Sequence, residues 1–180
     1  PKVQIDTAKT VLTTAGGAER CHSVMNALEV LAEQPDYKQE TAWALVHDAV
    51  RPCVSINDIH RLIADAAGTE SGGLLAMPVR DTMKRQDENQ CVLRTVDRTG
   101  LWHALTPQLF NITSLYRALA GALAEGFLVT DESSAMEHAG HQPMLVPGRE
   151  DNIKITRPAD LRLAELYLQA QSDQYDSGDR

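Results

Sequence analysis

Three short apolar runs between Thr10 and Val79 alternate with helix-period stretches, and no other feature constrains the fold as strongly. Thr10-Val11-Leu12-Thr13-Thr14 reads as a strand and Ala15 to Arg20 as a turn. Ser23 opens a helix with the apolar stripe Val24, Ala27, Leu28, Leu31 and Ala32. Recurrence at three and four residues places that stripe on one face. Gln34 to Thr41 is a polar loop. Trp43-Ala44-Leu45-Val46 is short and β-rich enough to be a strand buried on both faces. Ser55 with Asp58 three residues on is close to a capping pair. Ile56, Ile59, Leu62, Ile63 and Ala66 form the next stripe, ended by Gly68. Gly72-Gly73 then leads into the apolar run Leu74 to Val79. This rhythm predicts an α/β fold with a doubly wound, mostly parallel sheet.

The pattern then changes. Val79 to Arg85 and Cys91 to Arg98 alternate polar and apolar residues around the turn Gln86 to Gln90. This is a β-hairpin too polar for the core, spanning about residues 79–98. A two-stranded ribbon is marginal alone, so a second subunit is expected to support it. Gly100 to Gln108 reads as a compact stretch with Pro107 fixing its end. Ile112 to Ala124 is an amphipathic helix ended by Gly126. Thr130 or Asp131 caps a short helix reaching Ala139. Met144 to Pro147 and Asp151 to Thr156 read as strands. Arg157-Pro158 opens the last helix, with Leu161, Ala164, Leu166 and Leu168 as its stripe. Residues 1–171 are expected to form one domain, and 172–180 a disordered polar tail.

The 180 residues suffice for one domain with a real core. A net charge of -8 argues against nucleic-acid binding, which needs a basic face. No apolar run approaches the roughly 18 residues that cross a membrane. Cys21, Cys53 and Cys91 are an odd number at wide spacing, which fits a reducing cytoplasm better than a disulfide framework or a structural zinc site.

Chemistry concentrates in His47-Asp48-Ala49-Val50-Arg51-Pro52. Pro52 ends the strand, and ligands of open α/β sheets sit beyond the carboxyl ends of strands. Asp48 suits a hydroxyl or metal ion, and Arg51 a bidentate phosphate contact. An Asp that caps the turn and an Arg that pairs with it would explain the same residues. Gly16-Gly17 lets backbone N–H groups approach a ligand, but it matches neither dinucleotide nor P-loop spacing. Arg20, Arg51, Lys84, Arg85, Arg98 and Lys154 fall at turns, strand ends or the hairpin, where two or three can converge on phosphates.

Several stretches together resemble a known family. They are Gly16 to Val24, Val46 to Pro52, Pro78 to Lys84, Thr95 to Gln108, Thr130 to Ala135, and Asn152 to Thr156. In this order and spacing the chain, from about residue 10 to about 170, resembles the 2-C-methyl-D-erythritol 4-phosphate cytidylyltransferases of the non-mevalonate isoprenoid pathway. The resemblance implies a Rossmann-like domain and a homodimer joined by projecting β-arms, here about residues 79–98. It implies CMP transfer from CTP to 2-C-methyl-D-erythritol 4-phosphate, with Mg2+ and release of pyrophosphate.

By the same resemblance Gly16, Gly17 and Ser23 would contact the cytosine, and Asp48 and Ala49 the ribose and reacting phosphates. Arg51, Thr106, Thr130 and Lys154 would hold the methylerythritol phosphate. Thr82 and Arg98 would reach the partner's substrate. Asp48, Arg98 and Lys154 are the expected catalytic set. The family's opening strand, its Gly-rich loop with an Arg, and its Pro-Lys-Gln segment have no counterpart in these residues. A chain truly starting at Pro1 is expected not to turn over CTP. Two other readings share many of these features. One is a cytidylyltransferase for another polyol phosphate such as ribitol 5-phosphate. The other is a non-catalytic dimeric nucleotide-binding module.

Overall fold

A computed structural model describes residues 11–34 and 41–177. In chain order it contains α1 (Arg20–Ala32), β1 (Trp43–Val46), α2 (Ile56–Ala66), β2 (Gly73–Pro78), β3 (Met83–Gln86) and β4 (Val92–Val96). β5 (Trp102–Asn111), α3 (Ile112–Ala124), α4 (Glu132–His138), β6 (Met144–Pro147) and α5 (Pro158–Ser177) follow. These elements fall into two units, Trp43–Phe110 with His141–Arg180, and Pro1–Ala42 with Asn111–Gly140.

The unit of Trp43–Phe110 and His141–Arg180 holds a four-stranded sheet in the order β1-β5-β2-β6. β6 runs parallel to β2, and β5 runs antiparallel to it with a register shift between Leu74 and Ala76. Leu75, Leu105, Leu109 and Val146 pack with Leu62 and Ala66 of α2 to form the core. A Cβ on Gly73 would stand 2.9 Å from the Ala66 Cβ, so a side chain there would force α2 off the sheet. Ser55 caps α2 by accepting from the Asp58 N–H at 3.1 Å, as the sequence predicts.

Several expectations for this unit are corrected. β1 is not buried on both faces: only Ala44 is buried and Leu45 is exposed, because β1 lies at the end of the strand order. In α2, Ile56 and Ile63 are exposed, and Asp58 joins Leu62 and Ala66 on the buried face. The Asp58 carboxylate survives burial because it accepts from Arg61 Nη1 at 3.0 Å and from the Arg149 N–H at 3.1 Å. The compact stretch Gly100 to Gln108 does not end at Pro107. From Trp102 it is the first part of β5, with a cis Thr106–Pro107 bond inside it. Residues 151–156 form no strand. They are tied down by single bonds, Asn152 N–H to the Arg149 carbonyl and Ile155 N–H to the Val50 carbonyl. α5 starts at Pro158 as predicted, but of its stripe only Ala164 is buried. It continues to Ser177, into the expected disordered tail.

In the other unit α3 has the predicted bounds and follows β5 directly, capped by the Asn111 side chain. Leu115, Ala118, Leu119 and Ala122 of α3 are buried, as are Ala135 and Met136 of α4. Asp131 caps α4, and Gly126, just past α3, takes a φ of 68° that only glycine adopts cheaply. Two expectations change. Residues 11–14 are not a strand, and Val11 and Leu12 lie exposed with no described strand alongside to complete a ladder. α1 begins at Arg20, three residues before Ser23, because Glu19 and His22 close a capping box around its first turn. Residue 10 and most of the 34–41 loop lie outside the described residues.

A hairpin lies within the expected span, with shorter strands than the alternation suggests. β3 and β4 form a separate two-stranded antiparallel sheet. Both faces are open, with Val92 and Leu93 mostly exposed. Cys21 and Cys53 are buried, Cys91 is exposed, and all three are free thiols. Among the described residues no helix is long and apolar enough to cross a membrane.

Candidate active site

β1 ends at Val46, and the chain turns at once, closed by the Arg51 N–H bonding to the Asp48 carbonyl at 3.0 Å. That turn places Asp48 and Arg51 side by side beyond the strand. Arg51 Nε stands 3.7 Å from Asp48 Oδ2, and Lys154 Nζ stands 3.2 Å from the same oxygen. The Asp48 and Arg51 side chains are about nine-tenths buried, whereas Lys154 is nearly half exposed. Two nearby cations offset part of the cost of withdrawing the Asp48 carboxylate from water, and the cationic excess faces outward on Lys154. The turn-and-pair arrangement weighed from sequence is therefore real, and Lys154 enlarges it.

Thr106 of β5 completes the cluster. Its Oγ1 accepts from the Asp48 N–H at 3.1 Å and lies 2.9 Å from His47 Nδ1. Asn152 ties the remaining pieces. Its Nδ2 donates to the Thr106 carbonyl at 2.8 Å, and its own carbonyl accepts from Arg51 Nη1 at 2.9 Å. Asn152 Oδ1 is buried without a hydrogen-bond partner among the described residues, which costs about 1–3 kcal/mol. Those two bonds hold the segment carrying Lys154 against the strand end. Of the expected site residues, Asp48, Arg51, Thr106 and Lys154 thus meet in one cluster, with Ala49 exposed in the turn above it.

Gly16, Gly17, Ser23 and Thr130 belong to the other unit. Ser23 Oγ accepts from the Gly17 N–H at 2.9 Å, and Asn26 Nδ2 donates to the Ala15 carbonyl at 3.0 Å. These bonds fold the Gly-Gly turn onto the start of α1. A Cβ on Gly17 would strike the Cβ of His22, so the turn needs glycine there. Arg20 pairs with the fully buried Glu132 through two bonds of 2.5 and 2.9 Å. Thr130 is exposed and its N–H donates to Ser134 Oγ at 3.1 Å. Donor atoms of Glu19, Cys21 and His22 lie within 4.8 Å of one another, but the capping box already engages Glu19 and His22, and a helix start repels cations.

Thr82 and Arg98 flank the open end of the hairpin, both exposed, and neither bonds to the Asp48 cluster. Sequence reasoning missed His47 and Asn152. His47 sits inside the quoted motif, but its partner Thr106 is remote in sequence. Asn152 stood in the expected strand and in a stretch that carries the resemblance, but its partners Thr106 and Arg51 are remote in sequence.

The family model described as 2-C-methyl-D-erythritol 4-phosphate cytidylyltransferase matches residues 2–170. The enzyme of that name from Vibrio vulnificus YJ016 is 53% identical over 163 residues, 91% of this chain and 68% of that protein. The one from Shewanella loihica PV-4 is 55% identical over 163 residues, 89% of this chain and 64% of that protein. The crystal structure of the Francisella tularensis enzyme superposes with a TM-score of 0.76 at 38% identity, covering 84% of this chain and 69% of that one. The chain thus spans about two thirds of the length of the relatives it matches.

Proposed function

This chain belongs to the 2-C-methyl-D-erythritol 4-phosphate cytidylyltransferase family, nucleotidyltransferases of isoprenoid precursor synthesis, and we propose how its residues divide that work. Arg51 and Lys154 receive the reacting phosphates, and Asp48 lies beside them as the anion that both cations approach. A phosphate oxygen of the polyol phosphate attacks the α-phosphorus of CTP, the new P–O bond forms, the α–β bridge breaks, and pyrophosphate leaves. The attacking phosphate is already ionised, so alignment and charge neutralisation carry the catalysis rather than a strong base. The observation that carries this reading is the convergence of Lys154 and Arg51 on one oxygen of Asp48. An incoming phosphate can take over Lys154, the exposed member, while Arg51 stays anchored on the Asn152 carbonyl.

Gly16, Gly17 and Ser23 serve the cytosine, through main-chain groups in a turn that tolerates no side chain at Gly17. Ala49 lies by the ribose and phosphates, and Thr130 and Thr106 by the second substrate. In this reading residues 1–171 act as one nucleotidyltransferase domain carrying the arm. Two copies pair through the hairpin, whose exposed Val92 and Leu93 favour cover by a second subunit, and Thr82 and Arg98 enter the partner's site. Mg2+ usually binds through one or two carboxylates plus substrate phosphates, and Asp48 provides one carboxylate of that kind. Asp48 would hold the ion, which supplies charge neutralisation at the triphosphate. A cytoplasmic setting fits three free thiols.

Pyrophosphate release by the full-length protein tests the assignment, measured with CTP and either 2-C-methyl-D-erythritol 4-phosphate or ribitol 5-phosphate. Strong preference for the first is expected. Preference for ribitol phosphate transfers the assignment to that substrate, and no release with either overturns it.

A further inference from the structure

His47 is given no part in the reaction above, yet its contacts to Thr106 and to the Arg51 carbonyl fix where a proton sits. Its Nε2 lies 2.9 Å from the Arg51 carbonyl oxygen, which has no proton to give, so Nε2 carries the hydrogen. In the neutral ring Nδ1 then holds a lone pair, 2.9 Å from Thr106 Oγ1. The Thr106 hydroxyl must therefore donate to His47. The same oxygen accepts from the Asp48 N–H at 3.1 Å. With its proton committed, Thr106 cannot donate to a phosphate oxygen and offers only a lone pair.

We propose that His47 is a positioning residue: its Nδ1 accepts a hydrogen bond from the Thr106 hydroxyl, so that Thr106 offers a substrate only a lone pair, and through Thr106 it sets the main chain of Asp48. The chain of contacts is continuous. The Arg51 carbonyl holds His47, His47 holds Thr106, Thr106 holds the Asp48 N–H, and the Asp48 carboxylate holds Lys154. Loss of the first link lets the Thr106 hydroxyl rotate and loosens the turn that aims Asp48. The functional part of this inference rests on Asp48 lying at the reacting phosphates. It also separates Thr106 from Arg51 and Lys154: they suit a phosphate, whereas a lone pair suits a hydroxyl of the acceptor.

The test uses the full-length protein with His47→Leu and His47→Asn. The Asn Oδ1 can reach the position of Nδ1 and accept the same hydrogen bond, and leucine cannot. His47→Leu is expected to lower kcat about tenfold with KM for CTP within about twofold, and His47→Asn to recover most of the loss. Nitrogen-15 NMR of the unsubstituted protein at about pH 8, where histidine is ordinarily neutral, reads the tautomer directly. A protonated Nε2 and bare Nδ1 support the proposal. The opposite tautomer overturns it, as does a His47→Leu protein that melts earlier but keeps full kcat. Failure of the unsubstituted protein to turn over CTP would sink the active-site reading instead, and the tautomer would still decide the His47 arrangement.

Discussion

Lys154 Nζ and Arg51 Nε both approach the same oxygen of Asp48, at 3.2 and 3.7 Å, although Lys154 arrives from the far end of the chain. One negative charge therefore stands between two positive ones in a largely buried spot. Asp48→Asn keeps the shape but removes the charge, leaving Arg51 and Lys154 to repel each other. Turnover is expected to fall by about 10² or more, on the scale of losing a preorganised electrostatic group. The fold should persist, since Thr106 binds the Asp48 main chain and not its carboxylate. Steady-state kinetics beside a circular-dichroism melt check this, and a collapse of the melt would mean that Asp48 is structural.

The Arg20–Glu132 pair gives an asymmetric stability prediction. Glu132 is fully buried, whereas Arg20 is about a third exposed. Arg20→Ala strands a carboxylate without its fork in the interior. Glu132→Gln leaves a guanidinium that water can still reach. Arg20→Ala is expected to cost about 2–4 kcal/mol, less than a fully buried pair because Arg20 is partly solvated. Glu132→Gln should cost distinctly less. Urea denaturation of both variants measures the difference, and an equal or reversed order would contradict the burial argument.

Much of this architecture can be read directly from the residues, and the failures share a cause. The bounds of α3, the Ser55 cap and the hairpin depend on neighbours within a few positions, and local chemistry specifies them. That Asp48 and Arg51 lie together is legible for the same reason. Asp58 is buried because the Arg149 N–H reaches it, and residues 151–156 are held by the Thr106 and Val50 carbonyls rather than by a ladder. Those partners are remote in sequence, and no periodicity encodes them. The exposed leucines of α5 show the limit of stripe reading. Helical spacing identifies a face, but what covers it depends on other elements.

Asp151 makes stability depend on acid. Arg149 donates to its carboxylate from Nε at 2.9 Å and Nη2 at 2.6 Å. These bonds outweigh the cost of burial and hold its pKa below the ordinary carboxylate value, with Gln171 adding a smaller effect. A lowered folded pKa means the unfolded chain takes up the proton first. The stabilisation is therefore complete above the unfolded value of about 4 and is lost as pH falls through the lower folded value. Asp151→Asn should remove about 1.5–3 kcal/mol near neutrality and flatten the acid limb of the stability curve. Melting temperatures taken from neutral pH down to about pH 3 test this. Parallel curves for both proteins would show that Asp151 carries no such linkage.

The proposed exchange of arms makes a prediction that no single variant can. Each site would draw Asp48 from one protomer and Arg98 from its partner. Arg98→Ala alone should impair use of the polyol phosphate while leaving CTP binding near normal. Asp48→Asn alone should impair turnover. In a mixed dimer one site receives both defects and the other receives neither. Equal mixing with free subunit exchange gives mixed dimers in about half the population, each with one intact site, so about a quarter of full activity should return. Activity measured before and after co-refolding the two variants reads this out. No recovery, with exchange confirmed by mass spectrometry, would place Arg98 and Asp48 in the same chain's site and remove the reason for reading the hairpin as an arm that serves its partner.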